Sequence, residues 1–264
     1  MVFSVKAVGN CIGKVKVLGI CDGARVMSIT EFAVLSPQEC EIVASQVYEL
    51  KEFWVKQHPS LPAFTLGASI GNEDNLDLYN SDVERCNPIL LHNFKWLYEK
   101  LVAILQQYLK ADVTYEHPFG LPGFIIYLAP KVATETRPPI HYDFQWRDFN
   151  LNFHYKTVNI RTSTSLTLPI LLPKKTTGLN YWTTDFEQYV KQVKTNPLPP
   201  FLPQIGQSPQ KKYHPYTIGN IVMHSAYTLH QAALPDPEHW LADNARIVLQ
   251  IHTIQCDNQW LLYF

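Results

Sequence analysis

No Cys-x-x-Cys pair, no long apolar run and no excess of charge of either sign is found in this sequence. Its five cysteines (Cys11, Cys21, Cys40, Cys86 and Cys256) are odd in number and scattered, so neither a disulfide framework nor a zinc ribbon is indicated, and a reducing cytoplasm is the expected setting. The first residues are apolar in places but are broken by Lys6, Asn10, Lys14 and Lys16, which leaves no continuous apolar core of signal-peptide length. Nowhere does an uninterrupted apolar stretch approach the roughly 18 residues of a membrane span, so no membrane partner is expected. A formal net charge of −1 supplies no positive field with which to neutralise a phosphate backbone, so nucleic acid is not expected as a partner either. No internal repeat is present.

What is present is core material. Hydrophobic residues make up 46% of the 264 and charged residues 17%, the proportions of an ordinary folded chain. The length exceeds the usual single domain, but all-β barrels and sandwiches reach it as one unit. One domain over 1–264 is therefore expected.

Short β-like runs at Val15–Leu18 and Val26–Ile29 are separated by turns such as Cys21-Asp22-Gly23, an N-terminal hairpin signal. Ser36-Pro37-Gln38-Glu39 is a capping box with Pro at the first helical position, and Val43, Val47, Leu50 and Trp54 continue one face, which predicts a helix over 37–57. The Asn- and Asp-rich stretch 67–87 reads as a surface loop. Phe94, Leu97, Leu101, Leu105 and Tyr108 recur at helical spacing and predict a second helix over 89–110.

From about residue 122 the texture becomes short apolar runs between Pro, Gly and polar clusters. Candidate strands are 124–128, 140–144, 165–172, 179–182, 221–224 and 246–254, and the Pro- and Gln-rich 195–212 reads as an insertion loop. Helices followed by many strands suggest an α+β chain, with 1–121 supplying N-terminal strands and supporting helices and 122–264 a β-sandwich or barrel core.

Within that core, His141-Tyr142-Asp143 falls in a candidate strand, where residues two apart share a face and an imidazole and a carboxylate can converge. Ten histidines make a chance His-x-Asp common, roughly one time in three, so position has to decide. Downstream, Gly219 leads an apolar strand ending at His224, His230 follows it, and Arg246 opens another apolar strand. A guanidinium carried into a barrel by Ile247-Val248-Leu249 needs an anion, and its planar fork suits a carboxylate.

From Phe124 to Ile254, about half the chain, this order of His-x-Asp, Gly-led strand, distal His and following Arg resembles the Fe(II)/2-oxoglutarate-dependent dioxygenase superfamily. The resemblance implies a double-stranded β-helix (jelly-roll, cupin-like) core. It implies His141, Asp143 and His230 as the iron ligands, with His230 preferred to His224 because it lies at the usual distance from Gly219. Arg246 becomes the anchor of the distal 2-oxoglutarate carboxylate. Two imidazoles and one carboxylate form a facial triad that suits Fe(II) and leaves positions for the keto acid and O2. The implied reaction couples decarboxylation of 2-oxoglutarate to succinate and CO2 with oxidation of a substrate C–H, most often hydroxylation. The presence of Asp143 disfavours halogenation.

The sequence departs from the superfamily in three places: a usual second Gly is absent near 178–182, the span from His230 to Arg246 is longer by a loop at 235–239, and Val248 stands where many relatives have Ser or Thr. Another hydroxyl must then share the keto acid, and Tyr127, Thr164 and Thr167 are the candidates. Arg137, Gln145, Trp146 and Arg147 flank the His-x-Asp and are candidate substrate contacts at the mouth of the barrel. The expected substrate is a small molecule, such as an amino acid or a natural-product intermediate. Two alternatives stay open: a cupin-like metal oxygenase that does not use 2-oxoglutarate, and a non-catalytic jelly-roll binding module.

Overall fold

The computed structural model describes residues 16–18, 29–57, 63–69, 76–128, 138–149, 151–173, 177–183, 210–234 and 245–264. Two helices, α1 (Pro37–Glu49) and α2 (Leu76–Leu109), precede most of the strands. The strands are β1 (Lys16–Leu18), β2 (Ile29–Ala33), β3 (Val55–Lys56), β4 (Ala63–Leu66), β5 (Asp112–Thr114), β6 (Gly123–Leu128), β7 (Val158–Leu171), β8 (Gly178–Trp182), β9 (Lys211–Pro215), β10 (Asn220–Ser225), β11 (Leu229–Ala233), β12 (Ala245–Cys256) and β13 (Gln259–Tyr263). They form a large sheet in the order β1-β2-β10-β7-β12-β6-β4-β3, with β13 attached to β12 and β5 to β13, and a small sheet in the order β11-β8-β9. Every described pairing is antiparallel except β13 with β5.

Side-chain alternation divides the large sheet into two faces. Phe32, Phe124, Ile126, Leu166, Leu168, Ile170, Ile221, Ile247, Leu249 and Ile251 point to one face and pack under Val43 and Val47 of α1 and Leu90, Phe94, Leu97 and Leu101 of α2. This is the main core, and Phe94 and Phe124, both fully buried, meet in it at 4.8 Å between ring centres. Burial of each such side chain contributes about 1.5–3 kcal/mol. Residues of the other register, among them Val222, Ser165, Arg246 and His252, point to the opposite face. There Ile29 and Val222 of the large sheet pack with Leu179 of the small one, and Glu31 meets His214 at 3.3 Å. The result is a jelly-roll-like pair of antiparallel sheets, with helices on the outer face of the larger and a polar interior between the two.

Helix α1 begins as its capping box dictates, with Glu39 N–H donating to Ser36 Oγ and Ser36 N–H to Glu39 Oε2. It ends at Glu49, eight residues before the expected 57, in a 3-10 turn at Lys51–Phe53 followed by β3. The expected loop 67–87 is corrected from residue 76 onward, where α2 begins thirteen residues earlier than the spacing after Pro88 indicated. Tyr79, Val83, Cys86 and Leu90 form the buried stripe of this first part, and Pro88 lies inside the helix. The axis breaks at Phe94 (φ −121°, ψ 19°), next to Asn93, whose side-chain amide takes the Ile89 carbonyl that the helical ladder would use.

Residues 26–28 of the expected N-terminal hairpin and most of the 195–212 loop lie outside the described residues. Lys211 and Lys212 belong to β9 rather than to a loop. At the turn before β10, Gly219 (φ +80°) accepts the Val34 and Leu35 N–H groups, and a Cβ there would meet the Leu35 carbonyl oxygen at 2.2 Å. Only glycine allows that closeness.

Candidate metal centre

His141 and Asp143 do not lie on a strand. The expected strand 140–144 is replaced by a single bridge at His141, with a 3-10 turn at Gln145–Arg147 immediately after. The convergence predicted from strand alternation is achieved in another way. His141 and His230 exchange both backbone hydrogen bonds, at 2.9 and 3.0 Å, which sets the two residues directly opposite one another. Asp143 N–H then donates to the Ala226 carbonyl at 3.1 Å, bringing the carboxylate to the same side.

The three side chains close on one point. His141 Nε2 is 3.4 Å from Asp143 Oδ1, His230 Nε2 is 3.3 Å from Asp143 Oδ2, and one ligand atom from each residue lies within 4.8 Å of the others. Among the described residues this is the one such group of His, Cys, Asp or Glu. Both imidazoles have their other nitrogen occupied, since Nδ1 of His141 faces the Pro139 carbonyl and Nδ1 of His230 the Thr228 carbonyl, each at 3.0 Å. A carbonyl only accepts, so Nδ1 carries the proton and the Nε2 lone pair of each ring is left to face the carboxylate. Such a set of two neutral nitrogens and one acceptor-only carboxylate fits a divalent ion.

The electrostatics favour a neutral His230 and an ionised Asp143, and leave His141 as the ring that holds a second proton most readily. Burial pushes His230 down to about 3, so its ring is neutral. For His141, burial works downward but the hydrogen bond and charge of Asp143 outweigh it and raise the value. Burial alone would raise Asp143, yet His230, His141 and His252 together hold it well below the usual carboxylate range. The buried acid is therefore ionised, though only 3% exposed.

His224, the other candidate for the distal role, lies beside the triad, with its ring 4.5 Å from that of His230. Its Nδ1 faces the Ser225 carbonyl at 3.0 Å, and it is not part of the converging group.

Arg246 enters the same interior from β12. It is 3% exposed, directly opposite Tyr127 of β6, and its guanidinium carbon lies 5.6 Å from the ring centres of both Tyr127 and Tyr216. Its Nε has no hydrogen-bond partner, and no carboxylate lies within 4.0 Å of it, among the described residues. A buried guanidinium between two phenol rings with a donor unspent fits a bound carboxylate. Tyr216 is a site residue that the sequence does not mark by motif: it sits in the Tyr-Thr-Ile-Gly turn before β10, where burial raises its phenol and the nearby Arg246 charge works against that rise. Only its aromatic character next to a Gly-led strand could have marked it.

Thr167 shares this face and donates to Gln250 Oε1 at 3.0 Å. Thr164 does not. It is on the opposite register of β7 from Ser165 and Thr167, and its hydroxyl donates to the Thr162 carbonyl. Gln145 reaches the triad, donating to Asp143 Oδ1 at 3.3 Å with its own Oε1 buried and unpartnered. Trp146 likewise has a buried, unpartnered Nε1, while Arg147 is exposed and stacks over Phe144 at 4.3 Å. Arg137 lies outside the described residues.

No family model matches the chain, and no curated protein matches it by sequence. Among solved structures, it is similar to an N-substituted L-amino acid dioxygenase from Burkholderia ambifaria AMMD, with a TM-score of 0.51, 12% identity, and coverage of 89% of this chain and 86% of that one. The complex of that enzyme with alpha-ketoglutarate superposes with a TM-score of 0.50 at the same identity and coverage. At such identity the likeness is one of fold. No helix among the described residues is long and apolar enough to cross a membrane.

Proposed function

We propose that the protein is a non-haem Fe(II)- and 2-oxoglutarate-dependent dioxygenase with a double-stranded β-helix core, in which His141, Asp143 and His230 hold the iron. The convergence of two Nε2-presenting imidazoles on an ionised, buried carboxylate carries this reading. The fold shared with a dioxygenase that binds alpha-ketoglutarate supports it. When bound, the iron and the keto acid supply activation of O2 and the oxidising equivalents for attack on a C–H bond, with succinate and CO2 as co-products.

The chain's own residues prepare that chemistry. Pro139 and Thr228 carbonyls fix the imidazole tautomers. Arg246 supplies a charge and a planar fork for the far carboxylate of the keto acid, and Tyr127, Tyr216 and Thr167 line its approach. Val248 offers no hydroxyl, and Tyr216 takes over that duty. The guanidinium also argues against a cupin-like oxygenase without 2-oxoglutarate, since such an enzyme needs no buried anion anchor.

The substrate is a small molecule, such as an amino acid or a natural-product intermediate, met by Gln145, Trp146, Arg147 and the segment containing Arg137, and hydroxylation is the expected outcome over halogenation. The unit comprises 1–264 with its site on 122–264, and works in the cytoplasm. Incubation with Fe(II), 2-oxoglutarate and panels of such substrates should give succinate together with a product carrying one added oxygen atom. Failure of every panel member to stimulate succinate release, with iron bound, would leave the binding-module alternative standing.

A further inference from the structure

The floor of the site is a row of three side chains paired across neighbouring strands: His224 on β10, Ser165 on β7 and His252 on β12. Ser165 is fully buried, with its Oγ 2.5 Å from Asp143 Oδ2 and 3.2 Å from His252 Nδ1. The number of available protons sets the direction of both contacts. An ionised carboxylate only accepts, and a hydroxyl has one hydrogen to give, so Ser165 donates to Asp143. The remaining contact is then donation from His252 Nδ1–H to Ser165 Oγ. On the other side Gln145 donates to Asp143 Oδ1 at 3.3 Å. Each carboxylate oxygen thus has a donor of its own, and the plane of the group is fixed.

We propose that Ser165 and His252 are positioning residues that set the Asp143 carboxylate for metal before an ion arrives, a role that rests on the metal-centre reading above. The alternative geometry is close at hand. Nε2 of His141 and of His230 lie 3.4 and 3.3 Å from the two carboxylate oxygens. A carboxylate free to turn about its Cβ–Cγ bond can pair with one imidazole and close the site to an ion. The Ser165 hydroxyl holds it against that turn, and His252 orients the hydroxyl by occupying its lone pair. Loss of such a support around a ligand typically lowers metal affinity about 10- to 100-fold.

The test uses the full-length, metal-free protein, titrated with Mn(II) by calorimetry, loaded with Co(II) for its visible ligand-field spectrum, and melted without metal. Ser165→Ala should bind Mn(II) about 10- to 100-fold more weakly and alter the Co(II) bands. His252→Leu should weaken binding in the same direction by a smaller factor. His252→Asn, whose amide N–H takes the place of Nδ1–H, should restore both affinity and spectrum. Wild-type affinity and an unchanged Co(II) spectrum in Ser165→Ala and His252→Leu would overturn the proposal. So would a His252→Asn variant as impaired as His252→Leu, because then bulk and not the donor matters. If Ser165→Ala fails to fold, the comparison of the two His252 variants decides alone. A wild type that takes up no more metal than Asp143→Ala would instead overturn the metal centre itself, and the positioning role with it.

Discussion

Replacement of Arg246 by Leu separates a ligand anchor from a structural charge, because the two roles predict opposite changes in the ligand-free protein. As a structural ion pair, its removal would strand a buried acid and cost about 3–5 kcal/mol. The structure gives it no carboxylate partner among the described residues and leaves its Nε unspent. Leu therefore forfeits only the contacts with the Tyr127 and Tyr216 rings, about 1–2 kcal/mol, and this is offset by no longer holding a charge away from water. For a chain of this size a net change near 1 kcal/mol moves the melting temperature by about 2–4 °C. Binding of 2-oxoglutarate should respond strongly, since truncating one partner of a buried, hydrogen-bonded charge pair costs about 2–5 kcal/mol, roughly 30- to several-thousand-fold in affinity. The assay is equilibrium binding of 2-oxoglutarate to the Mn(II)-loaded protein, paired with melting of the metal-free form. Keto-acid affinity unchanged within about threefold, or a metal-free melting temperature lowered by well over 10 °C, would refute the reasoning.

Three further outcomes follow from the same geometry. His230→Ala should abolish stoichiometric divalent-metal binding while His224→Ala leaves one ion per chain, as measured by metal analysis after gel filtration, because of these two histidines His230 alone joins His141 in converging on Asp143. Divalent-metal affinity should fall as the pH is lowered, and the fall should set in above 6.5. His141 is raised above that ordinary value and must give up its proton to the ion, whereas His230, at about 3, stays neutral throughout; a titration curve flat from pH 8 to 5.5 contradicts this. Gly178→Ala should destabilise the fold by about 1–3 kcal/mol in urea unfolding, since its Cβ would meet the His214 carbonyl oxygen at 2.2 Å and the Tyr213 ring at 2.8 Å.

The parts of this structure that local sequence expresses were legible in it. Ser36 and Glu39 announce the start of α1, and alternation in 124–128, 221–224 and 246–254 marks strands that the sheet contains. The first half of α2 was hidden because Asp77, Asn80 and Asp82 outweighed the buried Tyr79, Val83, Cys86 and Leu90, and because Pro88 reads as a boundary. Tertiary packing overrides both signals there. At the site, the three converging residues could be named, but the mechanism of convergence could not. It depends on a backbone bridge between positions 141 and 230 rather than on a strand. Ser165 and His252 were invisible for a similar reason: pairing between β7 and β12 makes them neighbours, and register is not written in any one segment. Thr164 and Thr167, three residues apart, could not be told apart until the pleat of β7 placed them on opposite faces.

The most direct test is anaerobic addition of 2-oxoglutarate to the Fe(II)-loaded protein, followed by visible absorption. A charge-transfer band of a 2-oxo acid bound to iron should grow to one equivalent, be absent from His230→Ala, and require far more keto acid in Arg246→Leu. A wild-type protein that takes up iron yet shows no band at saturating 2-oxoglutarate, or a band of equal strength in His230→Ala, would contradict the account.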